Sequence, residues 1–211
     1  MSIKKAYNSW SNQYDTNDNK TRDLDRKVTL ETLEKYHFNT VLELGCGTGK
    51  NTQYLLKKAK HVIGLDFSEG MLEKAVAKIK SPKVRFQKAD LTKEWEIDNN
   101  FADLITCSLT LEHIQNLDFI FEQAQLKLKQ KGLFFISELH PFKQYAGSKA
   151  RYETEEGTQE LEVYTHHITE YLNSATRNGF EQIELKEWFD MPNKKEVPRL
   201  VSFVFRKETS L

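Results

Sequence analysis

The sequence is poor in cysteine. Its two cysteines, Cys46 and Cys107, fit neither a disulfide framework nor a zinc site, so we predict reduced thiols and no metal. Long hydrophobic runs are also missing, and none approaches the roughly 20 residues that span a bilayer. Residues 1–10 contain no apolar core of a secretory signal. These absences predict a cytoplasmic protein without a membrane partner.

An excess of either charge is missing as well. The 31 lysines and arginines balance 31 aspartates and glutamates, giving a net charge of zero. Nucleic-acid-binding proteins usually carry a basic excess, because neutralising phosphates drives their affinity, so a nucleic-acid partner is disfavoured. The few prolines (4) and glycines (9) exclude a low-complexity chain, whereas 13 Phe, 8 Tyr and 3 Trp can fill a core. We expect a single domain over 1–211, acting as a monomer or a homodimer.

Short apolar runs alternate with helical patterns in the middle of the chain. The predicted strands cover 41–44, 61–65, 84–86, 102–107 and 133–136. The predicted helices between them cover 50–59, 68–80 and 117–128. This alternation indicates βαβ units with right-handed crossovers and a mainly parallel sheet, and the apolar strands suit a sheet covered on both faces. Two later strands, 182–185 and 200–205, bring the count to seven.

Two segments depart from this rhythm. Residues 1–36 are polar and rich in helix formers, which predicts an N-terminal helical cap. Residues 140–167 contain two β-prone runs, 151–154 and 159–164, around a turn that includes Gly157. We predict a small β-hairpin there, which would act as a lid.

Three glycines directly follow the first predicted strand. Gly45, Gly47 and Gly49 have the spacing G-x-G-x-G. Glycine permits positive φ and close approach of a ligand, and open α/β sheets bind ligands at this edge. A dinucleotide fingerprint requires the spacing G-x-G-x-x-G, which this loop lacks. A P-loop requires four residues between its two glycines, whereas Gly45 and Gly49 have three, and it requires a Ser or Thr hydroxyl where Asn51 stands. Glu43 would sit badly beside a pyrophosphate but suits a cationic ligand, such as the amino group of a methionine moiety.

An acidic residue closes the second predicted strand. A carboxylate at the position of Asp66 can accept hydrogen bonds from both hydroxyls of a ribose. Ribose binding alone does not separate NAD from S-adenosylmethionine. The glycine spacing and Glu43 favour S-adenosylmethionine over the alternative of an NAD enzyme.

Four segments together resemble one family. The glycine loop, Asp66, the run 89–91 after the third strand and the run 108–113 after the fourth are similar to class I S-adenosylmethionine-dependent methyltransferases over about residues 40–140. The glycine loop alone is moderately specific for this family, whereas the four segments in this order are highly specific for it. An N-terminal aromatic segment also resembles small-molecule members of that family, in which such aromatics close over the cofactor; it contains Tyr7, Trp10, Tyr14 and Asp15.

The resemblance implies a fold and a cofactor. The fold would be α/β and Rossmann-like, with a seven-stranded, mostly parallel sheet, helices on both faces and an antiparallel last strand. The cofactor would be S-adenosyl-L-methionine. The residues implied to bind it are Tyr14, Glu43, Gly45, Cys46, Gly47, Thr48, Gly49, Asp66, Phe67, Met71, Asp90, Leu91, Cys107 and Ser108.

The resemblance also divides these residues by role. The glycine loop and Glu43 would hold the methionine part, Asp66 the ribose, and Asp90 and the Leu91 amide the adenine. Aromatic or thioether side chains would flank the adenine, and two residues would lie beside the sulfonium; these are Phe67, Met71, Cys107 and Ser108. Core packing is the alternative role for Phe67, Met71 and Leu91, and a solvated loop carboxylate is the alternative for Asp66 and Asp90.

Methyl transfer from a sulfonium depends mainly on alignment, which can supply roughly 7–11 kcal/mol. A general base is needed only where the acceptor keeps its proton at neutral pH. His113 and His140 follow the fourth and fifth strands and are candidate bases, with a structural histidine as the alternative for each. Glu112 is either an acid of the pocket or a charge that stabilises a helix start.

The segment 138–152 mixes aromatic and cationic residues. This composition suits an acidic or carboxylated small acceptor, with Tyr145 and Arg151 as candidate binding residues; a solvated hairpin is the alternative. The leading prediction is methyl transfer to an O or N atom of a small molecule by in-line displacement. A protein or RNA methyltransferase is disfavoured by the zero charge and by the absence of an Asn/Asp-Pro-Pro-Tyr motif after the fourth strand. A cofactor-binding regulatory or interaction protein without catalysis stays open.

Overall fold

A computed structural model describes residues 7–8, 11, 14, 19–148, 151–154, 157–161, 163–191 and 196–208, with the backbone alone for 151–154 and 157–160. Its helices are α1 Lys20–Leu33, α2 Thr52–Lys58, α3 Glu69–Lys78, α4 Leu117–Lys127, α5 Pro141–Tyr145 and α6 Ile168–Arg177. Its strands are β1 Thr40–Leu44, β2 His61–Asp66, β3 Val84–Lys88, β4 Ala102–Ser108, β5 Leu128–Leu139, β6 Arg151–Thr154, β7 Gly157–Glu160, β8 Phe180–Trp188 and β9 Leu200–Lys207. A short 3₁₀ turn, Leu111–His113, follows β4.

Polar side chains fix where several helices begin. Ser68 precedes α3, and its Oγ accepts a hydrogen bond from the Met71 amide at 3.2 Å. The Asn116 side chain accepts in the same way at the start of α4. The apolar face of α3 is narrow, because Met71 is buried whereas Val76 is 49% exposed.

The main sheet contains seven strands in the order β3-β2-β1-β4-β5-β9-β8. Strands β1 to β5 are parallel to their neighbours within this group, while β9 pairs antiparallel with both β5 and β8. The predicted fold is therefore confirmed: a mostly parallel, Rossmann-like sheet with an antiparallel last strand.

Successive residues of each central strand point to opposite faces, so the sheet has a core on both sides. On one face, Leu42 and Ile105 pack with Phe121 of α4 and Tyr171 of α6. On the other face, α1 and α2 cover the sheet, and their buried side chains pack against Val41, Leu104 and Phe135 in a second cluster. The near-continuous apolar strands reflect this double coverage.

Strands β1 and β4 are adjacent, and the chain leaves them toward opposite sides of the sheet. Their carboxyl ends stand side by side, since Leu44 pairs with Cys107. A crevice opens where the strand order reverses in this way. The loops that follow β1, β2 and β4 meet there and position the candidate site.

Two elements differ most from their predicted bounds. Strand β5 begins at Leu128, directly after α4, because Leu128 pairs with Ala102 across a register shift in β4. The polar run before Gly132 had no strand pattern that could reveal this. In the hairpin, Gly157 opens β7 and pairs with Thr154, so the second strand is 157–160 instead of the predicted 159–164.

The described helices include none long and apolar enough to cross a membrane. Of the predicted cap, α1 begins at Lys20, and the structure describes only five earlier residues, including Tyr7 and Tyr14. Trp10 and Asp15, and the side chain of Arg151, lie outside the described part. The division into a cap over 1–36 and a lid over 140–167 stays a prediction.

Candidate active site

A cavity that is partly open to solvent lies at the carboxyl ends of β1, β2 and β4. The predicted site residues that line it are Tyr14, Gly45, Gly47, Asp66, Phe67, Met71, Asp90, Leu91, Ser108 and His113. Residues from four separate loops and from the N-terminal segment therefore meet at one place, although up to 106 positions separate them in the chain.

A second, smaller compartment adjoins the first. The two share lining residues at the glycine loop and after β4, namely Tyr14, Gly45, Gly47, Ser108 and Leu109. The predicted residues Glu43, Cys46 and Thr48 line the second compartment only. The cleft can thus hold one elongated ligand that passes the glycine loop.

The glycine loop has the backbone that its sequence predicts. Gly45 and Gly47 have φ of 65° and 52°, which favour glycine. A Cβ on Gly45 would collide with the Thr110 side chain, whereas one on Gly47 would meet nothing within 4 Å. Gly45 is therefore required because the two loops pack closely there. Gly47 is required because its φ is positive, although there is open space around it.

Asp66 ends β2 and connects two loops. Its Oδ2 accepts a hydrogen bond from the Gly47 amide and its Oδ1 accepts one from the Ser68 amide, both at 2.8 Å. Burial raises the pKa of this carboxyl group above its usual value. A carboxylate offers about four lone-pair sites, so Asp66 can still accept from the hydroxyls of a ribose.

Two buried carboxyl groups face the second compartment. The Thr52 hydroxyl donates to Glu43 at 2.5 Å, and burial raises the pKa of Glu43 to about 8. The Asn51 amide donates to Oδ2 of Asp25 at 3.0 Å, and burial raises the pKa of Asp25 as well. A bound ammonium group would favour the ionised form of both carboxyl groups.

Arg22 supplies a positive charge to the same compartment. Its guanidinium stacks over the Tyr14 ring at 4.2 Å and donates to the Tyr14 carbonyl. Lys50 also lines this compartment. Two carboxyl groups and an arginine together match the ammonium and carboxylate of an amino acid, which is the end group of S-adenosylmethionine.

Arg22 and Asp25 are site residues that no sequence motif indicated. Both are on α1, and their spacing with Val28 is i, i+3, i+6, which places charged residues on the buried face of the helix. That pattern was the signal that could have identified them, because a charged residue is rarely buried without a partner.

The opposite end of the cleft is apolar and fits an adenine ring. Met71 and Leu91 are buried beneath it, and the Phe67 ring makes an edge contact with Tyr7 at 5.8 Å. Asp90 lies at the rim, where its Oδ1 accepts hydrogen bonds from the amide and hydroxyl of Thr92.

The two candidate bases have different positions. His113 lines the cavity, and its Nε2 is 2.8 Å from the Tyr7 hydroxyl. His140 is fully buried and lines neither compartment. Its Nδ1 accepts from the Phe142 amide and its Nε2 contacts Glu187 at 3.1 Å, so it caps α5. Burial lowers the pKa of His140.

Three further predicted residues lie outside the two compartments. Cys107 belongs to the core, because alternation along β4 turns its side chain inward and leaves Ser108 at the cleft. Gly49 completes the turn of the loop with φ of 79°. Tyr145 on α5 is 55% exposed and is hydrogen-bonded to His167.

Comparison with known proteins agrees with this geometry. The family model for a methyltransferase domain matches residues 41–132. An uncharacterized methyltransferase of Emericella nidulans is 27% identical over 223 residues, which cover 85% of this chain and 76% of the relative. Phosphoethanolamine N-methyltransferase 1 of Triticum aestivum is 33% identical over 129 residues, which cover 57% of this chain and 26% of that enzyme.

A solved S-adenosylmethionine-dependent methyltransferase from Clostridium acetobutylicum has the same fold. It is 20% identical, with a TM-score of 0.74 over 97% of this chain and 100% of its own. The chain spans less than two thirds of the length of several curated relatives, with shares of 65%, 26% and 42%. The matched domain, the sheet and the two-compartment cleft agree with one another: residues 41–132 match a methyltransferase domain, and the fold is that of S-adenosylmethionine-dependent methyltransferases, whose cofactor is S-adenosylmethionine.

Proposed function

We propose that this protein transfers the methyl group of S-adenosylmethionine to an O or N atom of a small molecule by in-line displacement. One observation carries the proposal: the cleft joins an apolar compartment beside Asp66 to a charged compartment around Glu43. That order of surfaces matches an adenosine joined to an amino acid. When bound, S-adenosylmethionine supplies a methyl group on a sulfonium, which is a good leaving group.

Each end of the cleft has residues suited to one part of the cofactor. Asp66 would accept from the ribose hydroxyls, while Asp90 and the Leu91 amide would bind the adenine edge. Glu43 and Asp25 would bind the ammonium group, and the Arg22 guanidinium would bind the carboxylate in a charge-assisted pair. The groups that would cover the bound cofactor are Tyr7, Tyr14 and His113.

Sequence, charge and geometry bear on the nature of the methyl acceptor. The wheat relative is named for an N-methyltransferase of phosphoethanolamine, which supports a small acceptor. Zero net charge argues against a nucleic-acid acceptor. A carboxylated acceptor held by Tyr145 and Arg151 stays a prediction from the segment 138–152. His113 lines the cavity and is the better placed of the two candidate bases.

Ligand binding provides the first test. S-adenosylhomocysteine should raise the melting temperature, since a ligand at 100 times its Kd stabilises the folded state by about 2.7 kcal/mol. NAD at the same concentration should have no effect. Stabilisation by NAD alone would refute the cofactor assignment.

Turnover provides the second test. The protein is incubated with methyl-labelled S-adenosylmethionine and a panel of phenols, carboxylic acids and amines, and transfer of label is measured. We expect transfer to at least one class of small acceptor. Tight binding of S-adenosylhomocysteine with no transfer to any small molecule would favour the regulatory alternative, and transfer to protein or RNA alone would favour the macromolecular one.

A further inference from the structure

The N-terminal segment forms part of the wall of the cleft. Tyr7 lines the cavity, and Tyr14 lines both compartments. The Tyr7 hydroxyl is 2.8 Å from Nε2 of His113, and the Tyr7 ring makes an edge contact with the Phe67 ring. We call the described residues 7, 8, 11 and 14 of this segment the N-terminal strap. A ligand that fills the cleft would contact the strap in each compartment.

Asn8 attaches the strap to helix α3. Its Oδ1 accepts hydrogen bonds from the Ser68 hydroxyl at 2.6 Å and from the Gly70 amide at 3.2 Å. Ser68 is fully buried, and the Gly70 amide lies in the first turn of α3, where backbone amides have no partner within the helix. Both donors therefore depend on an acceptor from outside the helix. Asn8 itself lines neither compartment, so it supports the strap without touching a ligand in the cleft.

The strap and α3 approach each other closely at Gly70. A Cβ on Gly70 would lie 2.8 Å from the Ser11 Oγ and 3.2 Å from the Asn8 carbonyl oxygen. The Ser11 hydroxyl in turn donates a hydrogen bond to that carbonyl at 2.8 Å. Glycine is a poor helix former, and this contact supplies a physical reason for its place in the first turn of α3. The strap is therefore packed against α3 as well as hydrogen-bonded to it.

The same contacts reach the residue that would bind the ribose. The Ser68 amide donates to Oδ1 of Asp66 and the Ser68 hydroxyl donates to Asn8, so Ser68 joins these two side chains. Hydrogen bonds linked in this way strengthen one another. The strap is therefore held by the same loop that positions Asp66. A change at Asn8 can reach the cleft through Tyr7, its neighbour in the chain.

We propose that Asn8 is a positioning residue for the cofactor. It fastens the strap over the cleft, so that bound S-adenosylmethionine or S-adenosylhomocysteine leaves only after the two hydrogen bonds to the Asn8 side chain have broken. This inference rests on the proposed function, in which the cofactor occupies the cleft. Loosening the strap would displace Tyr7 and Tyr14 from the wall while leaving Asp66 and Glu43 in place. The expected effect is a faster release of the cofactor, whereas a residue that only caps α3 would change stability alone.

The test measures the rate at which S-adenosylhomocysteine leaves the full chain. Labelled ligand is bound, an excess of unlabelled ligand is added, and the label that stays bound is followed over time. Asn8→Ala should release the ligand roughly 5- to 100-fold faster than the wild type, because it removes two hydrogen bonds. Asn8→Asp should retain most of the slow release, since a carboxylate offers an acceptor to both donors and suits a helix N-terminus.

Gly70→Ala tests the same contact from the side of α3. The added Cβ would push against Ser11, so release should be faster than in the wild type, although alanine is the better helix former. Ser11→Ala removes the oxygen nearest to that Cβ. The double variant Gly70→Ala with Ser11→Ala should therefore release the ligand more slowly than Gly70→Ala alone. Helix stability by itself predicts neither result.

Asn178→Ala is the matched control. It removes a side-chain hydrogen bond to the Ser174 carbonyl at the end of α6, and neither of these residues lines the cleft. The release rate should be that of the wild type. Release from Asn8→Ala at the wild-type rate would overturn the inference. Equally fast release from Asn8→Ala and Asn8→Asp, or from Asn8→Ala and Asn178→Ala, would overturn it as well.

Melting curves without ligand show whether each variant folds. If Asn8→Ala does not fold, the glycine pair decides: wild-type release from Gly70→Ala, or no slowing by the added Ser11→Ala, would overturn the inference. Failure of the wild type to bind S-adenosylhomocysteine would instead refute the proposed function. Binding by the wild type with unchanged release from the variants would leave that function intact.

Discussion

Asp66 has both a structural role and a proposed functional role. Its two oxygens each accept a backbone hydrogen bond, one from the glycine loop and one from the start of α3. The side chain therefore orders both walls of the cavity before any ligand arrives. Such preorganisation lowers the entropic cost of binding, because the loops need not be fixed by the ligand itself.

We predict that Asp66→Asn will weaken binding of S-adenosylhomocysteine by roughly 10- to 100-fold. An asparagine has one acceptor oxygen and one NH₂ group, and this NH₂ group would face the amide of Gly47 or of Ser68. Isothermal titration calorimetry measures the affinity, and a melting curve reports any loss of stability. Asp98→Asn, an exposed substitution, is the control and should change neither. Unchanged affinity in Asp66→Asn would remove the proposed ribose partner.

At the scale of residues, the sequence could predict the site residues whose positions follow from local motifs. Asp66 ends a strand and Gly45 directly follows one, so their positions at the sheet edge follow from the neighbouring sequence alone. Arg22 and Asp25 reach the second compartment only because α1 docks beside β1 and β4, and no short motif encodes that approach. His140 was misleading for a related reason: it follows β5, but its imidazole turns to the Phe142 amide and to Glu187 on β8.

At the scale of elements, the loop after β1 combines two different glycine requirements. Gly45 packs against Thr110, so an added Cβ has no room. Gly47 has room but has a positive φ beside the cavity. Gly179, after α6, also has a positive φ and open space around it, yet it lies far along the chain from the cleft.

These three glycines allow a matched comparison. Gly47→Ala and Gly179→Ala should each cost about 1 kcal/mol of unfolding free energy, since both place alanine in a left-handed conformation. Gly45→Ala should cost more, because it adds a steric clash to the same strain. Urea denaturation measures these differences. Only Gly45→Ala and Gly47→Ala should weaken S-adenosylhomocysteine binding; equal weakening by Gly179→Ala would mean that the effect is one of stability.

The elements themselves were predictable where periodicity was clear. Strands β1, β2 and β4 have uninterrupted apolar runs, and the Ser68 cap locates α3 to within one residue. The first part of β5 escaped prediction, because its residues 129–131 are polar and lie between two pairs, Leu128 with Ala102 and Leu133 with Leu104, that differ in register. Pairing of that kind depends on the neighbouring strand and leaves no pattern in the segment's own sequence.

At the scale of the whole molecule, the buried carboxyl groups link stability to pH. Burial raises the pKa of Glu43 and of Glu138 to about 8 and that of Glu112 to about 7, from a usual value of 4.5. In the unfolded chain these groups ionise above pH 4.5, whereas in the folded chain they keep their protons to higher pH. The folded state therefore binds more protons between pH 4.5 and 8, and its stability falls as pH rises through that window.

We predict that the ligand-free protein has a lower unfolding free energy at pH 8 than at pH 6. Each such group contributes at most about 1.4 kcal/mol per pH unit. Glu138→Gln should flatten this dependence, because glutamine does not ionise but keeps an oxygen that can accept from the Thr110 and Leu111 amides. Urea denaturation at several pH values measures the slope, with Glu122→Gln, an exposed change on α4, as the control. A slope in Glu138→Gln equal to that of the wild type would contradict the assigned cause.

The place of β9 in the sheet has a consequence for synthesis on the ribosome. Strand β9 lies between β5 and β8, although β8 is made first. A nascent chain that has reached residue 190 can pair β1 to β5, but the outer edge of β5 then has no partner and β8 has no strand to join. Open apolar edges favour pairing between chains. The sheet can therefore close only after β9 has left the ribosome, and chains that end before residue 200 should aggregate or bind chaperones more than the full chain does.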